Sequence, residues 1–340
     1  GVVLHTLAVS APDAFGLSMR DCILPIVPMF HANAWGMPTT AVMAGAKTVF
    51  AGPHTDHESV LELLESEQVS MTSGVPTVWL PVVDAMKREA GRWNLNPALK
   101  FVIGGSAAPE AMIRDIDTLG HQVIHAWGMT EMTPVGTTGI PKPSFDSMPR
   151  TEQFATLAKQ GIPLPFVDIR VVGDDGPAPW DGKTMGELQV KGPWIADSYY
   201  EPDDPIFSWT DDGWFRTGDV VTVDPEGYVK ITDRTKDLIK SGGEWISSVD
   251  VENALMGHPD IREAAVIAMP HERWVERPLA CIVVEEGAVL SVESVREFLA
   301  DKFAKWWLPD AVEFIEEIPR TSTGKFQKMA LRERFKDYAL

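Results

Sequence analysis

The chain has 340 residues, with 30 Lys and Arg against 49 Asp and Glu, a net charge of −19, and 44% hydrophobic against 23% charged residues. That balance supplies a large core and excludes a wholly disordered chain, and the length suggests two or three domains. An acidic surface argues against nucleic acid as a partner, and no apolar run approaches the ~20 residues of a membrane helix. The two cysteines, Cys22 and Cys281, are far apart and lack metal-ligand spacing, so a reducing, cytoplasmic compartment is expected.

The chain starts at Gly1 rather than Met, and Val2 to Ala8 reads as a helix already in progress, so an upstream part is expected to be missing. Ile23–Val27 and Lys47–Phe50 read as buried strands, Ser59–Glu67 as a helix with Val60, Leu63 and Leu64 on one face, and Val69–Thr72 as a strand. Val78–Ala90 is helical, Phe101–Ile103 a strand, Pro109–Leu119 a helix and Val123–Ala126 a strand. Such alternation predicts an α/β domain with a mainly parallel sheet layered with helices. Residues 141–160, Pro-rich and then polar, are expected to form a long surface loop.

From Gly161 onward the pattern shortens. Asp168–Val172, Gly186–Lys191 and Gly227–Thr232 read as strands separated by Asp/Gly turns, which predicts a β-rich subdomain. After Arg234, Ser247–Leu255 is a helix with a capping signal at Ser247 and Asp250. Ala264–Ala268, Leu279–Glu285 and Val312–Glu316 are strands, and Val292–Phe303 is a helix, which makes a small α+β domain. The expected division is 1–160, 161–233 and 234–340.

Several motifs are excluded. Before Gly324-Lys325 the phosphate-loop spacing fails at Pro319, and Phe326 replaces its Ser or Thr; His271-Glu272 lacks the second zinc-protease His; no Gly-x-Ser-x-Gly elbow is present. What remains is a series of polar or Gly-rich segments at strand ends, where open α/β sheets bind ligands. Gly104-Gly105-Ser106 allows close approach of a ring or a phosphate, or is simply a tight turn. Trp127-Gly128-Met129-Thr130-Glu131 offers an aromatic face, a hydroxyl and a carboxylate suited to a base, a phosphate and Mg²⁺. Thr217-Gly218-Asp219, opening a strand, places an Asp that suits ribose hydroxyls or local turn chemistry. Asp233 to Asp237 and Lys240 to Glu244 mark the boundary of the last domain, and Phe30-His31 is ambiguous alone. The stretch Arg320–Leu340 has six basic residues against two acidic ones, which suggests a polyanion such as a triphosphate or coenzyme A.

In this order, Phe30-His31, Trp127 to Glu131, Thr217 to Asp219, Asp233 to Asp237 with Ser241 to Glu244, and Pro319 to Lys325 resemble the signatures of the adenylate-forming superfamily. Val27 to Trp35, Lys240 to Ser248 and Ala304 to Pro309 are similar to those of medium- and long-chain fatty acyl-CoA synthetases and their relatives, the 3-methylmercaptopropionate-CoA ligases. The resemblance covers roughly the last two thirds of a family member, with the N-terminal third and its phosphate-binding loop missing, so this chain alone is expected to be inactive. Trp127 stands where Tyr is usual.

The resemblance implies a two-step reaction in which ATP and a carboxylic acid give acyl-AMP and pyrophosphate, and the thiol of coenzyme A then displaces AMP. It implies that Trp127, Gly128, Gly104, Gly105 and Ser106 surround the adenine, that Thr130 binds phosphate and Glu131 holds Mg²⁺, and that Asp219 and Arg234 hold the ribose. Lys236 becomes the hinge, Lys325 the charge at the carboxylate and α-phosphate, and His31 a neighbour of the carboxylate. Trp35 is assigned to the acyl tunnel entrance, although a core Trp is nearly as good a reading of its apolar segment. Gly242, Gly243 and Glu244 fall near the pantetheine. ATP, Mg²⁺ and coenzyme A are the expected cofactors, with a homodimer as the expected assembly. Short-chain or thioether acids, an acceptor other than coenzyme A, and a catalytically incomplete nucleotide-binding fragment are the alternatives.

Overall fold

The computed structural model describes the chain apart from residues 174–175, 201–207, 243, 323 and 339–340. It divides into two compact units: Gly1–Thr217 with Val221–Ile231, and Gly218–Val220 with Thr232–Leu340.

The larger unit is built on a seven-stranded sheet. Its strands are β1 (Cys22–Pro25), β2 (Lys47–Thr48), β3 (Met71–Gly74), β4 (Lys100–Ile103), β5 (Gln122–Gly128), β6 (Val135–Thr138) and β7 (Ile162–Pro163), in the order β2-β1-β3-β4-β5-β6-β7. Pairings from β2 to β5 are parallel, and β6 and β7 are antiparallel. Side chains alternate across a strand, and here each face meets its own core. Ile23, Met71, Val102 and Ile124 join one apolar cluster, and Cys22, Leu24, Phe101, Ile103 and Val123 join the other. The second cluster is closed by the helices His57–Ser66, Pro76–Arg88 and Glu110–Thr118, whose buried residues recur at helical spacing. Asp56 caps the first of these by accepting from Ser59 N at 3.0 Å.

A second sheet joins β8 (Asp168–Gly173), β9 (Gly176–Pro177), β10 (Gly186–Lys191), β11 (Phe215–Val223) and β12 (Val229–Arg234) in the order β12-β11-β10-β8-β9. The smaller unit has β13 (Ile239–Ser241), β14 (Glu244–Ile246), β15 (Ile261–His271), β16 (Val275–Val284) and β17 (Ala311–Phe314). These run in the order β14-β13-β16-β15, with β17 parallel to β16, and the helices Ser248–Leu255 and Val292–Ala300 pack beside them. Alternation again splits two cores: Ala264, Val266, Ala280 and Ile282 face one, and Ala265, Ile267, Leu279 and Cys281 the other.

Two expectations are corrected. Residues 141–160 are not a loop, because Pro143–Ser147 forms a 3-10 turn and Arg150–Leu157 a helix that buries Gln153, Phe154 and Thr156. The guanidinium groups of Arg114 and Arg150 lie over the Phe154 ring at 4.4 and 4.5 Å, and Leu157 and Ala158 pack with Phe154 against the second apolar cluster, so a short apolar stripe anchors a mostly polar segment. Thr217-Gly218-Asp219 does not open a strand; it lies inside β11.

Candidate active site

Within the larger unit the sequence-predicted segments share one edge of the sheet. Gly104 follows β4, Gly128 ends β5, and Phe30-His31 lies five residues beyond β1, all at the carboxyl ends of parallel strands. Gly104 is required by close approach: a Cβ there would meet the Ala126 carbonyl oxygen at 2.7 Å and the Trp35 ring at 3.4 Å. Gly105 and Ser106 are exposed beside it.

The turn they form is held from behind by His125, a residue that no motif or spacing marks out. Its ring is buried; Nδ1 lies 3.0 Å from the Ala158 carbonyl and Nε2 accepts from Ala108 N at 3.2 Å. A donor at one nitrogen and an acceptor at the other define a neutral imidazole, and burial pushes its pKa down to about 4.

His31 stands at the start of an unusual turn. Ala32, Asn33, Ala34 and Trp35 all have positive φ, from 44° to 58°, and Gly36 follows at 74°. Left-handed backbone costs about 1–2 kcal/mol per non-glycine residue and persists only where packing over-determines it. Here Ala34, Trp35 and Met37 are buried, and His5 lies against Gly36, where a Cβ would sit 2.9 Å from His5 Cε1. The His5 ring is itself fixed: Nε2 accepts from Val135 N at 3.1 Å, Trp194 packs edge-on at 5.9 Å, and burial lowers its pKa to about 4. Trp35 is 6% exposed and belongs to the core, with its ring edge at Gly104.

Trp127 is buried, packed with Met132 and Val135 rather than standing clear of the surface. Thr130 is exposed in a 3-10 turn, Thr130–Met132. Glu131 is half-buried and accepts from the Tyr199 hydroxyl at 2.7 Å; burial and the carboxylate push Tyr199 up to about 12. The Glu131 carbonyl also accepts from Ala196 N at 2.7 Å, and Trp209, edge-on to Tyr199 at 5.2 Å, donates to the Ala196 carbonyl. The Glu131 carboxylate and the exposed Thr130 hydroxyl are oxygen donors of the kind that would hold Mg²⁺, too few for a closed cage of protein ligands.

The smaller unit carries a charged cluster of its own. Asp219 is buried, and Arg234 Nε approaches its Oδ1 at 3.4 Å. Lys325 lies in the field of both: burial and then Arg234 hold its ammonium below the ordinary lysine range, with Asp219 opposing. Lys236 is exposed in the turn after Arg234, where Asp237 N donates to the Arg234 carbonyl at 2.8 Å. Gly242 follows β13, its N donating to the Trp274 carbonyl at 2.9 Å; Gly243 lies outside the described residues, and Glu244 opens β14. The structure thus gathers Gly104, Gly105, Ser106, Gly128, Thr130, Glu131, His31 and Trp35 along one sheet edge, and separately gathers Asp219, Arg234 and Lys325.

A parallel sheet with Gly-rich and polar turns at the carboxyl ends of its strands is the layout in which open α/β proteins bind ligands, and the smaller unit separately sets Lys325 near Arg234 and Asp219. The family model described as "AMP-binding enzyme" matches residues 1–200, and that described as "AMP-binding enzyme C-terminal domain" matches residues 250–325. The chain belongs to the AMP-binding enzyme family.

It is 51% identical over 340 residues to a long-chain-fatty-acid–CoA ligase of Thermus thermophilus, and 46% identical over 341 residues to a medium-chain-fatty-acid–CoA ligase of Ectopseudomonas oleovorans. In both comparisons 99% of this chain is matched, against 62% of the relative's length. Among solved structures, ATP-bound MatB from Rhodopseudomonas palustris superposes with a TM-score of 0.84 at 27% identity, covering 99% of this chain and 64% of that one. An o-succinylbenzoate CoA synthetase from Bacillus subtilis with its acyl-adenylate intermediate gives 0.82 at 25% identity, covering 99% and 65%.

Proposed function

We propose that this chain is the greater part of an AMP-forming acid–thiol ligase that activates a medium- or long-chain fatty acid as acyl-AMP and passes it to coenzyme A. The observation that carries the reading is the cluster of Asp219, Arg234 and Lys325 in the smaller unit, in a family member whose relatives at 51% and 46% identity are named as fatty-acid–CoA ligases.

In the first half-reaction a carboxylate oxygen attacks the α-phosphorus of ATP and pyrophosphate leaves. Negative charge moves onto phosphate oxygens, and Mg²⁺ supplies charge neutralisation there when bound, with Glu131 and Thr130 as its protein-side holders. Lys325 supplies a compact positive charge to the carboxylate and α-phosphate oxygens, preorganised in a partly desolvated setting where it acts more strongly than in water. The ribose is held by the Asp219 carboxylate, which Arg234 orients. Gly104, Gly105 and Ser106 flank the adenine, with Trp127 and Gly128 forming the opposite wall. His31 and Trp35 border the acid.

In the second half-reaction the thiolate of coenzyme A attacks the acyl carbonyl and AMP leaves. That step needs other groups at the same carbon, and Lys236 is the pivot that brings Gly242, Gly243 and Glu244 to it. The 3-methylmercaptopropionyl-CoA ligase of Ruegeria pomeroyi, 44% identical over 338 residues, keeps a short thioether acid as a second reading.

The test is ATP–pyrophosphate exchange by the protein at its full natural length across acids of increasing chain length, followed by product mass with coenzyme A. Exchange dependent on a fatty acid of medium or long chain, with an acyl-CoA product, is expected. Exchange without a thioester product, or exchange only with the thioether acid, would overturn it.

A further inference from the structure

Lys325 lies in a short hairpin whose two legs are tied down separately. Arg320 and Phe326 form an isolated bridge, Thr321 N donates to the Lys325 carbonyl at 2.8 Å, Lys325 N donates to Thr321 Oγ1 at 3.2 Å, and Gln327 N donates to the Pro319 carbonyl at 2.8 Å. On the incoming leg, Arg320 pairs with Glu263 of β15. On the outgoing leg, Lys328 opens the helix Lys328–Arg334 and turns inward. Its Nζ lies 2.7 Å from Glu252 Oε1 and 2.6 Å from Ser248 Oγ.

Both partners are themselves committed. Glu252 Oε1 accepts from Val266 N of β15 at 2.7 Å. Ser248 donates its hydroxyl at 2.6 Å and its backbone N–H at 2.7 Å to Asp233 Oδ2, and Asp233 is the residue before Arg234. One buried network therefore runs from the residue beside Arg234 to a point three residues past Lys325.

Burying these charges is expensive. Burial pushes Glu252 up to about 7 and raises Asp233, while those two carboxylates hold Lys328 above its ordinary range despite burial. An apolar residue would pack such a site at least as well, so stability alone does not account for it. A fixed position does. A reacting-group misplacement of about 1 Å can cost ~100-fold in rate, and Lys325 has no regular element of its own to hold it.

We propose that Lys328 is a positioning residue: its buried contacts with Glu252 and Ser248 fix the hairpin that presents Lys325. This rests on the adenylation role given to Lys325 above, and the test separates the two.

The double variant Lys328→Met/Glu252→Gln removes both charges of the pair. It keeps an acceptor for Val266 N–H and leaves the Ser248–Asp233 bonds in place. Asp233 loses its buried counter-charge, so the full-length variant is expected to melt below the parent yet to stay folded at the assay temperature, which its melting curve checks. Lys325 should then be modified by an amine-directed reagent at a clearly altered rate, read by peptide mass. Acid-dependent pyrophosphate exchange should fall about 10- to 100-fold in kcat with little change in KM for ATP. Conversion of supplied acyl-AMP and coenzyme A to thioester should persist, and Lys328→Arg should restore most of the exchange.

A folded double variant with unchanged Lys325 labelling and unchanged exchange would overturn the proposal. So would equal loss in both half-reactions, or no recovery with Lys328→Arg. Altered labelling in a protein that shows no acid-dependent exchange would leave the positioning role standing and defeat the function proposed for the site.

Discussion

A Cβ on Gly36 would sit 2.9 Å from His5 Cε1, so the end of the left-handed turn is moulded against an imidazole from the opening helix. The same imidazole accepts from Val135 N, in the strand that follows the Thr130–Met132 turn. His5 thus sets two of the loops at the sheet edge at once. Gly36→Ala is expected to destabilise by about 2–4 kcal/mol, from a side chain at φ 74° plus overpacking against His5. Denaturant unfolding checks this; a loss below about 0.5 kcal/mol would mean that the His5 contact does not constrain the turn.

Acid should act through the two buried histidines. His5 and His125 have pKa values near 4 in the fold and an ordinary value of 6.5. The unfolded chain then binds their protons first, so stability is complete above about pH 6.5, falls as pH drops towards 4, and levels below it. Each histidine contributes up to about 3 kcal/mol to that slope. His125→Gln keeps a donor and an acceptor but does not titrate, so its melting temperature should fall less steeply than the parent's between pH 6.5 and 4.5. Parallel slopes would show that His125 takes up its proton without penalty.

Trp35 combines two readings that the sequence kept apart. It is 6% exposed in the main core, yet its ring edge meets Gly104 at the ligand edge of the sheet. Trp35→Ala should therefore cost about 3–5 kcal/mol, as for other buried aromatics. In the full-length protein it should also shift the preferred acid length in the pyrophosphate-exchange series. A loss under about 1 kcal/mol would remove Trp35 from the core account.

Much of this was legible because local chemistry decided it. Strand–helix alternation gave the layered sheet, and Ser247 does cap its helix by accepting from Asp250 N at 3.0 Å. Gly104-Gly105-Ser106 and Met129-Thr130-Glu131 fall at strand ends because small and polar residues suit the turns there. The failures are long-range. Arg150–Leu157 carries only a brief apolar stripe, Phe154 with Leu157, and is reinforced by the Arg114 guanidinium of another helix over the Phe154 ring, so its periodicity does not stand out in the sequence. Thr217-Gly218-Asp219 carries turn residues but is held inside β11 by ladder pairing. Tyr199, His5 and Lys328 reach partners 68, 130 and 80 residues away, and no spacing rule in one chain reveals such pairs.

The most direct test of the account is the division of the two half-reactions by Lys325. The ammonium is partly desolvated and shares its surroundings with Arg234 and Asp219, which suits a charge needed when phosphate oxygens gain charge. In the full-length protein, Lys325→Ala should lower acyl-AMP formation by about two to three orders of magnitude, the scale of losing one transition-state charge partner. It should still convert supplied acyl-AMP and coenzyme A to thioester at a rate near the parent's. Equal impairment of both half-reactions would contradict the account and make Lys325 a structural anchor of the smaller unit.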